Sequence, residues 1–399
     1  QDVTAEVRAA IDAAAGGLPK LSNWLSGLPA ARYDIPPSRD AIVTLSTTSG
    51  TTGEPKAVPQ TELAFATLLA AALSVVRYDS TPVYLAAAPI THAAGLWAYP
   101  PLAPGAPLVL LAAPTPEAVL PAIGRYGVTT MFMPPTVIYR LLADPAVGQF
   151  DYSSLKYFIV AAAPMSPDRL REAIRVFGPV MAQFYAQSEA PSVLTFMPPA
   201  DYFDGQGEIR SDRLGSCGRP TPFSQVEIMG EDGLLLPANV PGEIVLRGNH
   251  TMRQYWDEPE ESASVQRNGW HCTGDVGYLD DEGYLYIVDR KKDMIITGGF
   301  NVYPAVVEDV LLTHPADQES AVIGAPDDSW GEAVRAVVEL KPGATASEAE
   351  LLAFSRQRLS GVKSPKAVEI VPALPRSAVG KVLRRKVREA YWAGRTRKI

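Results

Sequence analysis

Thr47-Thr48-Ser49-Gly50-Thr51-Thr52-Gly53-Glu54-Pro55-Lys56 is the most distinctive stretch of the chain. A β-branched run at 41–45 reads as a buried strand ahead of it, and a helical pattern follows over 62–76. The spacing predicts a loop joining a strand to a helix, the unit from which α/β domains are built. Glycines let the backbone approach an anion, consecutive hydroxyls and amides offer hydrogen bonds, and Lys56 adds a charge. Thr48, Ser49, Gly50, Thr51, Thr52, Gly53 and Lys56 are therefore candidates for holding a polyphosphate. The loop is not a Walker A motif, because no Lys-Ser or Lys-Thr follows a glycine at the required spacing. The same composition also suits a flexible linker.

Downstream, strand-like runs at 83–88, 108–112, 130–133 and 158–161 alternate with helical patterns at 116–126 and 167–177, which predicts a parallel sheet. Past Gly215 come short strands at 225–229, 243–247 and 284–288, read as an antiparallel sheet or small barrel. After the charged cluster at 289–293, helical runs at 307–312 and 347–359 and strand-like runs at 320–323 and 334–340 form a small α/β unit. Upstream, residues 3–15 read as a helix, followed by a Gly/Pro-punctuated stretch to residue 39.

The 399 residues are 47% apolar and 20% charged, a globular composition with enough length for two or three domains. A net charge of −8 opposes binding to a polyanion, so nucleic acid is not an expected partner. The tail at 381–399 is basic and reads as a solvated helix face. Cys217 and Cys272 lack paired spacing, which excludes a disulfide framework and a thiolate metal site and favours a reducing compartment. No apolar run approaches the ~20 residues of a bilayer span. No secretion signal is legible either, so a cytoplasmic location is expected and the sequon at Asn249 reads as a chance match. His250, His271 and His314 show no metal-ligand spacing and read as structural or surface residues.

Four further segments carry chemistry. In Phe184-Tyr185-Ala186-Gln187-Ser188-Glu189, the carboxylate can hold Mg²⁺, the hydroxyl can bond a phosphate and the Tyr185 ring can cover a base. A nucleophile elbow with alanines in place of both glycines is the rival reading. Trp270-His-Cys-Thr-Gly-Asp275 places an acid in a Gly-bounded loop, suited to a ribose diol. Asp289-Arg-Lys-Lys-Asp293 leads to the paired glycines Gly298 and Gly299, which suit a tight turn or close ligand approach. Pro375-Arg-Ser-Ala-Val-Gly-Lys381 carries a lysine on a punctuated loop that can reach a phosphate on closure.

In this order, from Ser46 to Arg385, these segments resemble the superfamily of AMP-forming acyl-CoA synthetases, nonribosomal peptide adenylation domains and luciferases. The resemblance implies an α/β multidomain fold. A large N-terminal domain, 1–291, combines α/β subdomains with a distorted β-barrel, and a small mobile C-terminal α/β domain spans 292–399. It implies ATP, Mg²⁺ and coenzyme A as cofactors. Thr48 to Lys56 would bind phosphates, while Ala161, Ala162, Ala163 and Pro164, with Tyr185 and Ala186, would border adenine and the acyl pocket. Asp275 and Arg290 would hold ribose, and Glu189 beside Ser188 would coordinate Mg²⁺. Lys292 is similar to the hinge residue, Lys381 to the lysine bridging the carboxylate and the α-phosphate, and Gly298 and Gly299 to the pantetheine path. By the size of such multidomain enzymes, roughly a hundred N-terminal residues are expected to be missing, in line with the absent initiator methionine.

Departures are local. Ala186 adds a methyl where the family carries glycine, which narrows the expected pocket, and Val306 replaces a frequent acid without assignable consequence. Pro89-Ile-Thr-His92-Ala-Ala-Gly-Leu-Trp97 resembles the region lining the carboxylate pocket, with His92 as its gate or wall; a buried structural histidine is the other reading. Its neighbours are neutral, so a fatty, alicyclic or aryl acid is expected rather than an amino acid. The activity expected is ligation of that acid to coenzyme A. Delivery to a carrier-protein phosphopantetheine, or a non-catalytic nucleotide-binding role, are the alternatives.

Overall fold

The computed structural model describes residues 38–48, 56–91, 93–359, 361–377 and 381–393. The expected helix at 3–15 lies outside them, as do Ser49, Gly50, Thr51, Thr52, Gly53 and His92.

The loop read as a strand-to-helix junction instead joins two antiparallel strands, β1 (Ile42–Thr47) and β2 (Ala57–Thr61). Thr48 N donates to Lys56 O at 2.9 Å, closing the base of this hairpin. β1 was expected to be buried, but Ile42, Val43 and Leu45 are all exposed. The helix Glu62–Val75 starts directly after β2, with Thr61 as N-cap accepting from Ala64 N at 3.2 Å.

The central sheet has seven strands: β3 (Tyr84–Ala86), β4 (Leu108–Leu110), β5 (Thr130–Met133), β6 (Tyr157–Val160), β7 (Met181–Gln187), β8 (Ala190–Met197) and β9 (Arg219–Pro220). They run in the order β4-β3-β5-β6-β7-β8-β9, parallel as far as β7. Alternate side chains feed two cores. Leu85, Met131, Met133, Phe158 and Val160 pack into one, while Tyr84, Phe132, Ile159 and Phe184 pack into the other. That is what a parallel sheet covered on both faces requires. The helix Pro167–Phe177 buries Leu170, Ala173, Ile174 and Phe177, a stripe at helical spacing, against the first core. The strand order reverses direction between β3 and β5, and ligands of such sheets sit beyond the carboxyl ends at that switch point.

A second, five-stranded antiparallel sheet follows, made of β10 (Gln225–Met229), β11 (Gly242–Arg247), β12 (Gln266–Arg267), β13 (Trp270–Leu279) and β14 (Leu285–Arg290). It occupies the stretch expected to form an antiparallel sheet or barrel. Residues 216–220 knit it to the central sheet. Cys217 N donates to Leu285 O at 3.0 Å and Leu285 N to Gly218 O at 2.9 Å. Gly218 has φ 91°, and a Cβ there would lie 2.0 Å from the Phe196 backbone.

The last sheet holds β15 (Ile295–Thr297), β16 (Phe300–Val302), β17 (Asp317–Asp327), β18 (Gly331–Leu340) and β19 (Ala367–Val371), with its own apolar core. The helices Pro304–Leu312, Glu348–Arg358 and Arg384–Trp392 accompany it. It meets the helix Pro167–Phe177 where Arg169 Nη2 donates to the Asp317 backbone oxygen at 3.4 Å. The Asp317 carboxyl is fully buried there with no hydrogen-bond partner on either oxygen. Among the described residues no helix is long and apolar enough to cross a membrane.

Candidate functional site

Beyond the carboxyl ends of the parallel strands, β7 meets β13 through one carboxylate. Tyr185 and Gln187 are two residues apart on β7 and therefore share a face. The Tyr185 hydroxyl donates to Asp275 Oδ2 at 2.6 Å, and Gln187 Nε2 donates to the same oxygen at 2.8 Å and to Thr273 O at 2.9 Å. Arg290, the cross-strand partner of Asp275 on β14, brings Nε to 3.5 Å from Oδ1. Burial and the adjacent Asp275 charge push the Tyr185 phenol well above its ordinary pKa, so it stays a donor. Asp275 was expected in a loop but lies inside β13. The backbone turns at Gly274, φ 71°, and register shifts in both neighbouring pairings carry it round without ending the strand.

Glu189 follows in the turn between β7 and β8. Tyr255 donates its hydroxyl to Glu189 Oε1 at 2.8 Å, and Met252 N donates to Glu189 O at 2.7 Å. Ser188 is tied through its carbonyl, which accepts from Gln60 Nε2 at 3.1 Å, so β2 packs under the turn. Lys56 lies 5.1 Å from the centre of the Tyr255 ring and pairs with Glu261 at 2.5 Å. Of the phosphate-loop candidates described, Thr48 and Lys56 are thus brought to the Glu189 side of the site. Sequence reasoning missed Tyr255 and Gln187. Gln187 was legible from the two-residue period of a strand, whereas nothing in the local pattern marks Tyr255.

Ala162, Ala163 and Pro164 follow β6. Ala162 holds φ 75°, a left-handed conformation rare for residues other than glycine. Paired glycines turn the chain between β15 and β16, with φ 57° at Gly298 and 82° at Gly299. They differ in surroundings: a Cβ on Gly298 would meet the Trp330 ring at 2.3 Å, while one on Gly299 meets nothing within 4 Å. Trp330, also missed, covers the first glycine only.

Lys381 reaches this site from the far end of the chain. Its amide donates to Ser377 Oγ at 3.2 Å, and Ser377 N donates back to Lys381 O at 2.8 Å, so these two residues are tied to each other. Burial and the nearby Arg290 guanidinium pull the Lys381 amine down to about 7, with Asp275 opposing the shift. Lys292 is also lowered by burial and by Arg290. Arg384, expected on a solvated face, instead pairs with Asp289, Asp293 and Glu308. His250, His271 and His314 are buried, in keeping with a structural role.

An acid, an arginine and two hydroxyl or amide donors at one sheet junction, with a lysine and a second carboxylate alongside, suit a ribose and its phosphates. Two family models match the chain. Residues 4–256 match the model of the AMP-binding enzyme family, and residues 306–381 match that of the AMP-binding enzyme C-terminal domain. The chain belongs to the AMP-binding enzyme family. It is similar to a medium/long-chain-fatty-acid–CoA ligase of Mycobacterium tuberculosis, 39% identical over 378 residues that make up 93% of this chain and 65% of that protein. A feruloyl-CoA synthase of Amycolatopsis is 38% identical over 361 residues, 90% of this chain and 72% of that one. Among solved structures, ATP-bound MatB from Rhodopseudomonas palustris superposes with a TM-score of 0.84 at 32% identity, covering 96% of this chain and 77% of that chain. The chain thus spans about two thirds to three quarters of the length of these relatives.

Proposed function

We propose that the chain is an AMP-forming ligase that activates an apolar carboxylic acid with ATP and passes the acyl group to coenzyme A. The observation that carries this reading is the convergence of Tyr185, Gln187 and Arg290 on the Asp275 carboxylate, with the buried Lys381 amine close enough to feel the Arg290 and Asp275 charges. In the first half-reaction a carboxylate oxygen attacks the α-phosphorus and the bond to pyrophosphate breaks. No base is needed, but two anions must approach, and Lys381 offsets their charge. In the second, the thiol sulfur attacks the acyl carbonyl, AMP departs, and the thiol proton goes to solvent.

Asp275 and Arg290 hold the ribose, Ala162, Ala163, Pro164 and Tyr185 border adenine, and Thr48 and Lys56 begin and end the loop facing the phosphates. Glu189 suits Mg²⁺. One carboxylate oxygen is fixed by Tyr255 and the other remains for an ion that keeps waters and takes few protein ligands. Bound there, Mg²⁺ would neutralise phosphate charge. An apolar acid is favoured because Ala93, Ala94, Leu96 and Trp97, in the run that resembles the lining of the carboxylate pocket, carry no charge. Fatty and feruloyl acids, named for the relatives, are the first candidates. Gly299 is assigned to the pantetheine path. Free coenzyme A is favoured as acceptor over a carrier protein.

The test is a panel of fatty, alicyclic and aryl acids scored by AMP release with and without coenzyme A. Acid-dependent release that yields a thioester supports the reading, and silence across the panel overturns it. Thioester formation only with a phosphopantetheinylated carrier protein would reassign the acceptor. Lys381→Ala is expected to abolish acid-dependent ATP/pyrophosphate exchange while sparing thioester formation from supplied acyl-adenylate; equal loss of both would overturn the role of Lys381.

A further inference from the structure

Arg384 lies three residues beyond Lys381 and opens the helix Arg384–Trp392. Its guanidinium collects carboxylates from both sides of Lys292. Nε donates to Glu308 Oε1 at 2.9 Å, and Nη2 pairs with the other oxygen of the same group. Nη1 donates to Asp289 Oδ1 at 3.2 Å and to Asp293 Oδ2 at 3.4 Å.

These partners differ in what they are attached to. Glu308 sits on the helix Pro304–Leu312 and also accepts from Val322 N of β17 at 2.7 Å, so its pairing with Arg384 is internal to the last sheet and its helices. Asp289 belongs to β14 of the preceding sheet. Its Oδ1 accepts from Arg290 N at 2.7 Å, and its Oδ2 reaches over to Ala305 N at 2.9 Å, in the first turn of the same helix. A carboxylate beside a helix N-terminus is favourably placed. One buried carboxylate on β14 therefore holds two groups of the small unit at once, and any rotation about Lys292 must break both contacts. Glu308 keeps the guanidinium oriented in the meantime.

We propose that Arg384 is a positioning residue: by bridging to Asp289 across Lys292 it latches the small domain where Lys381 faces Asp275 and Arg290, and its release frees that domain for the second half-reaction. The inference rests on the adenylate-forming reading for its catalytic consequence, but the latch itself is a property of the contacts. Arginine is needed because its planar fork addresses several carboxylate oxygens together, which a lysine ammonium cannot reproduce. Removing it leaves Asp289, Asp293 and Glu308 facing one another uncompensated, which drives the two sides apart.

Two measurements test this. In the first, trypsin is applied to the whole chain without substrate, and cleavage after Lys291 and Lys292 is followed by mass spectrometry. In Arg384→Gln, cleavage there is expected to speed up by about fivefold or more, since proteolysis tracks the open population, with other sites much less affected. Asp289→Asn should do the same, and the double variant should add little. Unchanged cleavage at Lys291 and Lys292, or acceleration at all sites alike, overturns the latch. The second uses laurate and lauroyl-adenylate as probes. Arg384→Gln should lower laurate-dependent ATP/pyrophosphate exchange about tenfold and leave thioester formation from lauroyl-adenylate within about twofold, a split that a general loss of stability does not produce. Equal loss of both overturns it too. If the unaltered protein turns over no acid, the ligase reading fails, and the digestion still decides the latch.

Discussion

Ala162 carries the plainest strain in the site. A left-handed residue with a Cβ costs about 1–2 kcal/mol relative to the ordinary backbone, and the position is exposed, so no side-chain packing depends on it. Ala162→Gly relieves that strain but gives the unfolded chain more freedom, leaving an expected net gain of about 0.5–1 kcal/mol. Denaturant midpoints would show it, and a lowered midpoint would mean that neighbouring contacts already stabilise the turn. At this scale the sequence was informative wherever chemistry and period coincide. Tyr185 and Asp275 were nominated for their side chains, and the period of β7 implied Gln187 as well. Tyr255 could not be found that way, because its bond to Glu189 joins residues 66 positions apart.

Among the elements, most parallel strands and long helices were legible to within a residue or two, since buried strands are continuous apolar runs and the helices begin at prolines or capping residues. The hairpin was misread for a physical reason. β2 contains Pro59, which argues against a strand in a central ladder but is tolerated in a sheet that has two strands among the described residues. Without β2, the loop seemed to feed the helix directly. The junction between the first two sheets makes a sharper test of how elements are joined. Gly218 has both a positive φ and a backbone neighbour at 2.0 Å from the site of a Cβ. Gly218→Ala is expected to destabilise by about 2–4 kcal/mol, through strain and forced movement of β8 against β14. A loss below about 0.5 kcal/mol on thermal or urea unfolding would show that the junction yields easily.

For the molecule as a whole, the order of motifs revealed the family, but not how the last sheet is held against the rest. That depends on side chains read as solvated, Arg384 above all, and on Asp317, which no motif marked. Burial raises the Asp317 carboxyl to about 8, with Arg169 and Lys341 lowering it and Glu319 and Glu308 raising it. An acid raised in the folded state binds its proton more tightly there than in the unfolded chain. Between the unfolded value near 4 and about 8, the folded protein holds the extra proton and this group's contribution declines as pH rises. Asp317→Asn should therefore be more stable than the parent at pH 8, with the difference shrinking toward pH 4, in urea titrations at the two values. A constant difference would mean that Asp317 does not titrate on unfolding.

The β1–β2 hairpin also has a bearing on how the protein behaves in the tube. Ile42, Val43 and Leu45 present apolar surface on both faces of a ribbon that pairs with no third strand among the described residues. Such a ribbon adheres to its own kind, because a second copy supplies both the missing ladder and an apolar cover. Self-association through these three side chains is therefore expected as concentration rises, while the net charge of −8 works to keep molecules apart.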